Sequence, residues 1–431
     1  MSENGPAPAE EPRLTCQEYI GNKGPPSGVH SAAMTKTPAT LFVLGLTLLP
    51  ACDSKKANPA PAISAATASV PATAIAASTA PPTAANDAGP VITIPAGTLV
   101  AGSACGDHPR LPSEELPGVK FEMNPFDIDQ YPYPNQAGAR LKTGVAREEA
   151  QKLCAARGRR LCTELEWERA CKGPKNTMYE YGNRFDAKKC PSAASPSGSA
   201  HPECKSAFGV EAMHGSQWEW TSSAWGRGGD ADLVTLRGGF GSSPYAHMRC
   251  ANVKASPPSA SDGSIGFRCC GGTANTASVD LPAPDAPLEV IETVSPIEDA
   301  IAARFTNALR NGGVPTQEGV AYEFTRAWRW RPVVHEELFV VERRETPAQG
   351  APSVRAFVVH LCPARALLRS QLRGPVDSFE APTAQDGKLT LEARAGSNTG
   401  TVVYTYQFGQ VQTVEPAWIQ APPVSSIPAA D

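Results

Sequence analysis

The sequence predicts two α+β units in series: the first poor in regular elements, the second built on a mostly antiparallel sheet. Three observations carry this. Within residues 91–272, two short, well-punctuated helical runs stand among Gly-, Pro- and Trp-rich stretches. Within 287–416, one helical run is followed by several runs of strand-type alternation. An Ala/Pro-rich run with no helical or strand period precedes both. The 431 residues suffice for two or three domains with real cores. With 43 acidic against 39 basic side chains and a net charge of -4, nucleic acid is excluded as the main partner, because phosphate binding needs a clustered basic excess. No apolar stretch reaches the ~18 to 20 residues of a spanning helix.

Residues 1–33 carry no pattern, and Met34 is read as the true start. Residues 41–49 (LFVLGLTLL) are apolar but for Gly45 and Thr47, with Lys36 before them and Leu49-Pro50-Ala51-Cys52 after. A charged n-region, a short apolar core and a small residue before a cysteine have the form of a secretory signal over residues 34–51. The segment resembles a bacterial lipoprotein signal, which implies lipid on Cys52, export, and anchoring to a membrane of the cell envelope. Residues 52–90 read as a tether. From Asp53 to Pro90, 14 Ala and 6 Pro with no aromatic cannot bury enough apolar surface to offset chain entropy.

The first unit, 91–272, opens on Val91-Ile92-Thr93-Ile94. A helix is expected over 145–157, capped by Thr143 and stopped by Gly158, because Ala146, Ala150, Leu153 and Cys154 share one face. A second follows Thr163-Glu164-Leu165-Glu166, a capping box, and ends at Gly173. Leu165, Arg169 and Lys172 share one of its faces; Trp167, Ala170 and Cys171 share another.

Seven blocks then occur in a recognisable order: Ile94-Pro95-Ala96-Gly97-Thr98 with Gly102-Ser103; Pro125-Phe126-Asp127-Ile128-Asp129; Arg160-Leu161-Cys162-Thr163-Glu164-Leu165-Glu166-Trp167-Glu168; Tyr181-Gly182-Asn183; Gly215-Ser216-Gln217-Trp218-Glu219-Trp220; Leu236-Arg237-Gly238-Gly239; and Gly266-Phe267-Arg268. Together they resemble the sulfatase-modifying factor family, the formylglycine-generating enzyme domain. The resemblance implies a C-type-lectin-like α+β fold over 91–272. It also implies an oxidase that converts a sulfatase cysteine to formylglycine with two cysteines holding Cu(I).

Those two positions fall here on Ser243 and Met248. A serine hydroxyl is hard and neutral, and a thioether carries no charge, so copper is not expected. Cys250, in Arg249-Cys250-Ala251-Asn252, reads as a disulfide cysteine; a one-cysteine site with Met248 is the alternative. For the family's structural Ca²⁺, the matching positions are Ala212, Gly215, Gln217 and Glu219. Ala212 offers no side-chain ligand, which weakens a calcium site. Glu219 then reads equally well as a buried acid paired with Arg237 or Arg268.

Ten cysteines follow Cys52: Cys105, Cys154, Cys162, Cys171, Cys190, Cys204, Cys250, Cys269, Cys270 and Cys362. The absence of any CxxC pair and the sparse His (His108, His201, His214 and His247 in this unit) disfavour zinc. Four disulfides are expected within 91–272, with the ninth cysteine free or paired to Cys362. Trp218, Trp220 and Trp225 with Tyr245 read as core packing before a ligand-binding wall, and His247 as a surface residue.

Residues 273–286 read as a linker and 417–431 as a disordered tail. In the second unit, Ser295-Pro296-Ile297-Glu298 is expected to start a helix that buries Ile297, Ile301, Phe305 and Leu309 and ends at Gly312. Strands are expected over 337–343, 355–361, 388–394 and 400–408, with a tight return at Phe408-Gly409-Gln410. Trp328-Arg329-Trp330-Arg331 reads as a core edge with outward arginines or as a cation–π strip. No nucleophile–base pair, phosphate loop or metal spacing occurs in this unit. The chain is thus expected to be a lipid-anchored, disulfide-braced binding or scaffold module for a protein or glycan ligand. The alternatives are an active formylglycine-generating oxidase or another oxidoreductase on the same fold.

Overall fold

The computed structural model describes residues 89–190, 202–239, 243–281, 291–333 and 335–419. The leader, Cys52, nearly all of the tether, and the tail beyond 419 lie outside them.

In the first domain, helix α1 (Arg147–Ala155) buries Ala150 and Cys154. Thr143 does not cap it. Gly144 turns the chain at φ 71°, so the helix begins beyond that turn with Ala146 as N-cap and no side-chain cap bond. Helix α2 (Glu164–Lys172) carries the full capping box: the Thr163 hydroxyl accepts from Glu166 N–H and Glu166 accepts from Thr163 N–H. Every residue of α2 is buried, not one face of it. Its acids are buried because each is paired: Glu164 with Arg227 and Arg237, Glu166 with Arg160, and Glu168 with Lys172 and Arg237.

Two four-stranded sheets flank this helix. One runs in the order Val91–Ile94, Phe126–Asp129, Cys269–Gly271, Arg160–Leu161; the other runs Val253–Ser256, Val234–Gly238, Trp218–Ala224, Ile265–Phe267. A two-stranded ribbon pairs Gly97–Gly102 with Pro117–Met123. Adjacent residues of a strand face opposite ways, so Cys269 and Cys270 enter different cores. Cys269 bonds Cys154 in one cluster, and Cys270 bonds Cys162 in the other. Cys171–Cys250 and Cys190–Cys204 complete four disulfides within this domain.

The stretch read as a linker is part of the core as far as residue 281. Asn275, Val279 and Leu281 are buried, and Leu281 N–H donates to Gly226 O. A Cβ on Gly226 would lie 2.1 Å from Val279 O, so only glycine admits this approach.

In the second domain, helix α4 (Asp299–Asn311) starts later than the Ser-Pro signal suggests, with Glu298 as N-cap. Ser295 precedes a proline and is held out of the helical region, whereas the Glu298 carbonyl accepts from Ile301 and Ala302 N–H. The other short helix, α3 (Pro244–His247), belongs to the first domain. Five antiparallel strands form one sheet: Ile291–Val294, Val320–Trp330, Leu338–Pro347, Ser353–Leu361 and Ala366–Gln371. Ser378–Phe379, Lys388–Ala395, Asn398–Gln407 and Gln410–Val414 form the second, with Thr383–Gln385 beside Lys388–Ala395. The return falls at Phe408 (φ 49°) and Gly409 (φ 85°). Trp328 and Trp330 point into the core between the sheets, while Arg329 and Arg331 meet Glu292 and Glu337 outside. Ile419, assigned to the tail, is buried in the same core.

The second domain docks on the first. Cys105–Cys362 joins them, Arg110 pairs with Glu336 at 3.4 Å, and Arg365 pairs with Asp107 at 3.0 Å.

Candidate functional site

The positions that the family motif maps to redox chemistry lie on and around α3. Ser243 is its N-cap, half-buried, with no side-chain cap bond. Met248, 2 % exposed, packs against Cys190 and Cys204. Cys250 is fully buried and bonded to Cys171, and its N–H donates to Met178 O. Arg249 between them is held by Glu115 through both carboxylate oxygens, by Ser103 Oγ and by Ala246 O. Burial opposes ionisation of Glu115, but the Arg249 guanidinium overrides it and keeps the carboxyl below its ordinary range. Residues 248–251 are therefore a packed wall.

A cleft of about 370 Å³ lies beside that wall, lined by Ser103, Asp107, Asn176, Met178, Asn183 and Arg249, among others. Ser243, Met248 and Cys250 do not line it. Its cations are spent internally. Lys172 Nζ donates to Val100 O at 2.6 Å and Gly102 O at 2.5 Å and pairs with Glu168; Arg249 is held by Glu115.

The calcium positions do not fit the ion. Glu219 is fully buried, and its oxygens accept from Trp167 Nε1 at 2.7 Å and from Arg268 Nε and Nη2 at 2.6 and 2.8 Å. The same guanidinium donates to the carbonyls of Glu211 and Ala212 at 3.2 Å. The chain thus supplies its own fixed cation to these oxygens. Gln217 O is taken by Gly239 N–H, and Gly215 N–H donates to Gly239 O. Of the two arginines considered for Glu219, Arg268 holds it; Arg237 serves Glu164 and Glu168. Copper fits no better. Ser243 and Met248 offer no thiolate, and the Cys250 sulfur is in a disulfide.

Trp218 and Trp220 are core residues, and Trp220 Nε1 donates to Val145 O. Trp225 lies under Arg227, so the aromatics form no shared wall. His247 is half-buried rather than on the surface, with Nδ1 2.9 Å from Ser243 O, and burial lowers its pKa from 6.5. His201 lies outside the described residues. Sequence reasoning passed over a buried cluster: Glu180 Oε1 lies 3.2 and 3.0 Å from the sulfurs of Cys190 and Cys204 and 3.3 Å from His214 Nδ1. His214 Nε2 lies 2.9 Å from Arg249 O. Cys204 and His214 stand 10 residues apart, and no local motif signals the cluster.

The profile of the sulfatase-modifying factor enzyme 1-like domain matches residues 136–271. Bovine inactive C-alpha-formylglycine-generating enzyme 2 is 32 % identical over 151 residues, covering 30 % of this chain and 49 % of that one. The mouse protein of that name is 34 % identical over 148 residues, covering 29 % and 47 %. Mouse formylglycine-generating enzyme is 27 % identical over 157 residues, covering 29 % and 42 %. The chain thus spans about half the length of the curated relatives it matches. Among solved structures, PvdO from Pseudomonas aeruginosa aligns over 44 % of this chain and 96 % of its own at 19 % identity and a TM-score of 0.38. Residues 136–271 are a domain of the sulfatase-modifying factor family.

Proposed function

We propose that this protein is a non-catalytic member of that family: a disulfide-braced binding or scaffold module for a protein or glycan, held at a bacterial envelope membrane by lipid on Cys52. One observation carries the reading. The cysteines beside the mapped redox positions are all in disulfides: Cys250 is tied to Cys171, and Cys190 is tied to Cys204 where Met248 packs against them. A Cu(I) centre needs two free soft thiolates at one place, and the wall at 248–251 offers none. The similarity to two relatives named inactive points the same way. The Leu49-Pro50-Ala51-Cys52 segment supports the anchor.

The test is an oxygen-dependent assay on a peptide carrying a sulfatase motif, with copper supplied. The expected result is no formylglycine above the protein-free background. Turnover that Cys250→Ser abolishes would establish the oxidase instead. For the anchor, mass spectrometry of the mature N-terminus is expected to find lipid on Cys52; an intact peptide beginning at Met1 would overturn it.

A further inference from the structure

Four of the five disulfides lie inside the first domain with both sulfurs buried. The fifth differs in three ways. Cys105–Cys362 spans 257 residues and joins the two domains. Cys105 is half-exposed, while Cys362 is buried. Its surroundings are also cationic. Arg365 donates to Cys105 O at 2.8 Å, and Arg304 donates to Cys362 O. A ring nitrogen of His360 and both sulfurs lie within 4.8 Å of one another, and Arg369 Nη2 is 3.2 Å from His360 Nδ1. The acids here are Asp107, 3.0 Å from Arg365, and Glu336, 2.9 Å from His360 Nε2 and 3.4 Å from Arg110. Four arginines therefore face two carboxylates around this sulfur pair.

Nearby cations lower a thiol's pKa, and a thiol of lower pKa leaves faster in thiol–disulfide exchange. We infer that Cys105–Cys362 is a redox-active disulfide of this protein, opened by a small thiol that attacks the sulfur of Cys105, the half-exposed residue of the pair. The attacking thiolate forms a mixed disulfide with Cys105; the bond to Cys362 breaks, and its electron pair leaves on the Cys362 sulfur. A second thiolate attacks the reagent's sulfur, releasing the oxidised reagent and the Cys105 thiolate. Two electrons pass from two thiols to the protein, and the two protons they shed end on Cys105 and Cys362.

Opening this bond acts on the segment that carries the mapped redox positions. The hairpin of Asn398–Gln407 and Gln410–Val414 covers α3. The Phe408 ring meets His247 edge-on at 5.9 Å, Gln410 Nε2 lies 3.4 Å from Tyr245 Oη, and Phe408 O accepts from Arg110 N–H at 3.0 Å. With Cys105 released from Cys362, the covalent tie that fixes the hairpin's domain beside α3 is gone, leaving non-covalent contacts such as these and the Arg110 and Arg365 ion pairs.

The experiment titrates the purified protein with reduced glutathione, quenches by alkylation and reads each cysteine by peptide mass spectrometry, with hydrogen exchange in parallel. Cys105 and Cys362 are expected to be alkylated at least ~10-fold faster than the other eight. Exchange at 244–248 and 404–410 is expected to rise in step. Another pair opening first, all five opening together, or exchange that stays unchanged would overturn the inference. Arg365→Gln, with the four buried disulfides verified intact, is expected to slow opening ~3- to 10-fold; an equal or faster rate would overturn the electrostatic assignment.

Discussion

Replacing Glu219 by glutamine separates the ion-pair account of this acid from the calcium account. Glu219 and Arg268 are each 1 % exposed or less, and the carboxylate accepts three charge-matched or indole N–H bonds at 2.6–2.8 Å. In Glu219→Gln the guanidinium keeps carbonyl partners at Asp129, Gln130, Glu211 and Ala212 but loses its only counter-charge in direct contact. The amide must also turn a donor toward either Trp167 Nε1 or Arg268. Removing one partner of a buried pair costs about 3–5 kcal/mol, because the other charge is left uncompensated. Guanidinium unfolding of wild type and variant, each in Ca²⁺ and in EGTA, measures this. The expected outcome is that full loss in both media, with part of it recovered in Glu219→Gln/Arg268→Met, where the stranded charge is gone. A loss below about 1 kcal/mol, or a wild-type midpoint that rises with Ca²⁺ only when Glu219 is present, would refute the reasoning.

Three further outcomes follow from local geometry. Thr163→Ala removes one half of the capping box and should cost about 1 kcal/mol in the same assay; Thr163→Ser should restore most of it. Gly239→Ala places a Cβ 2.2 Å from the Trp218 ring at φ 76° and should cost about 2–5 kcal/mol, read as loss of near-ultraviolet tryptophan dichroism at lowered denaturant. Glu115, Glu166 and Glu168 are held below their ordinary value of 4.5, each by arginine or lysine against the opposing effect of burial. Their stabilisation is complete above that value and is lost as pH falls through the lower folded-state values. Burial raises Asp129 from 3.8 to about 6, so its contribution runs the other way: stability declines as pH rises from about 4 to 6. Below 3.8, Asp129 is mostly protonated in both states, so unfolding free energy measured from pH 3.8 down to 2 should fall steadily; a rise on acidification there would contradict the assignments.

How far the sequence was legible depended on how local each signal is. The capping box of α2 was read correctly because its donors and acceptors are three residues apart. The start of α1 was placed too early because Gly144, which ends the approach, leaves the helical apolar spacing intact. Strand Val320–Trp330 was passed over except at its tryptophans, since Glu323, Arg326 and Arg329 interrupt its apolar pattern and are balanced only by neighbours on other strands. Residues 273–281 have a linker's composition, and Val279 and Leu281 are buried only by distant partners, the cluster of Leu99, Leu116, Met123 and Leu165. Glu219 was narrowed to two arginines, and register alone does not choose between them: Arg237 stands opposite Glu219 on the next strand but turns to Glu164 and Glu168, which only the packing of α2 reveals. The Glu180–His214 contact joins residues 34 apart and has no sequence period to reveal it.

The claim on which the account rests is that the family's paired copper thiolates have no counterpart here. Anaerobic titration of the disulfide-intact protein with Cu(I), against a chromophoric competing chelator, measures that directly. The account predicts that the chelator keeps the copper at every ratio. One equivalent withdrawn tightly from the chelator, and returned when Cys250 is changed to serine, would contradict it.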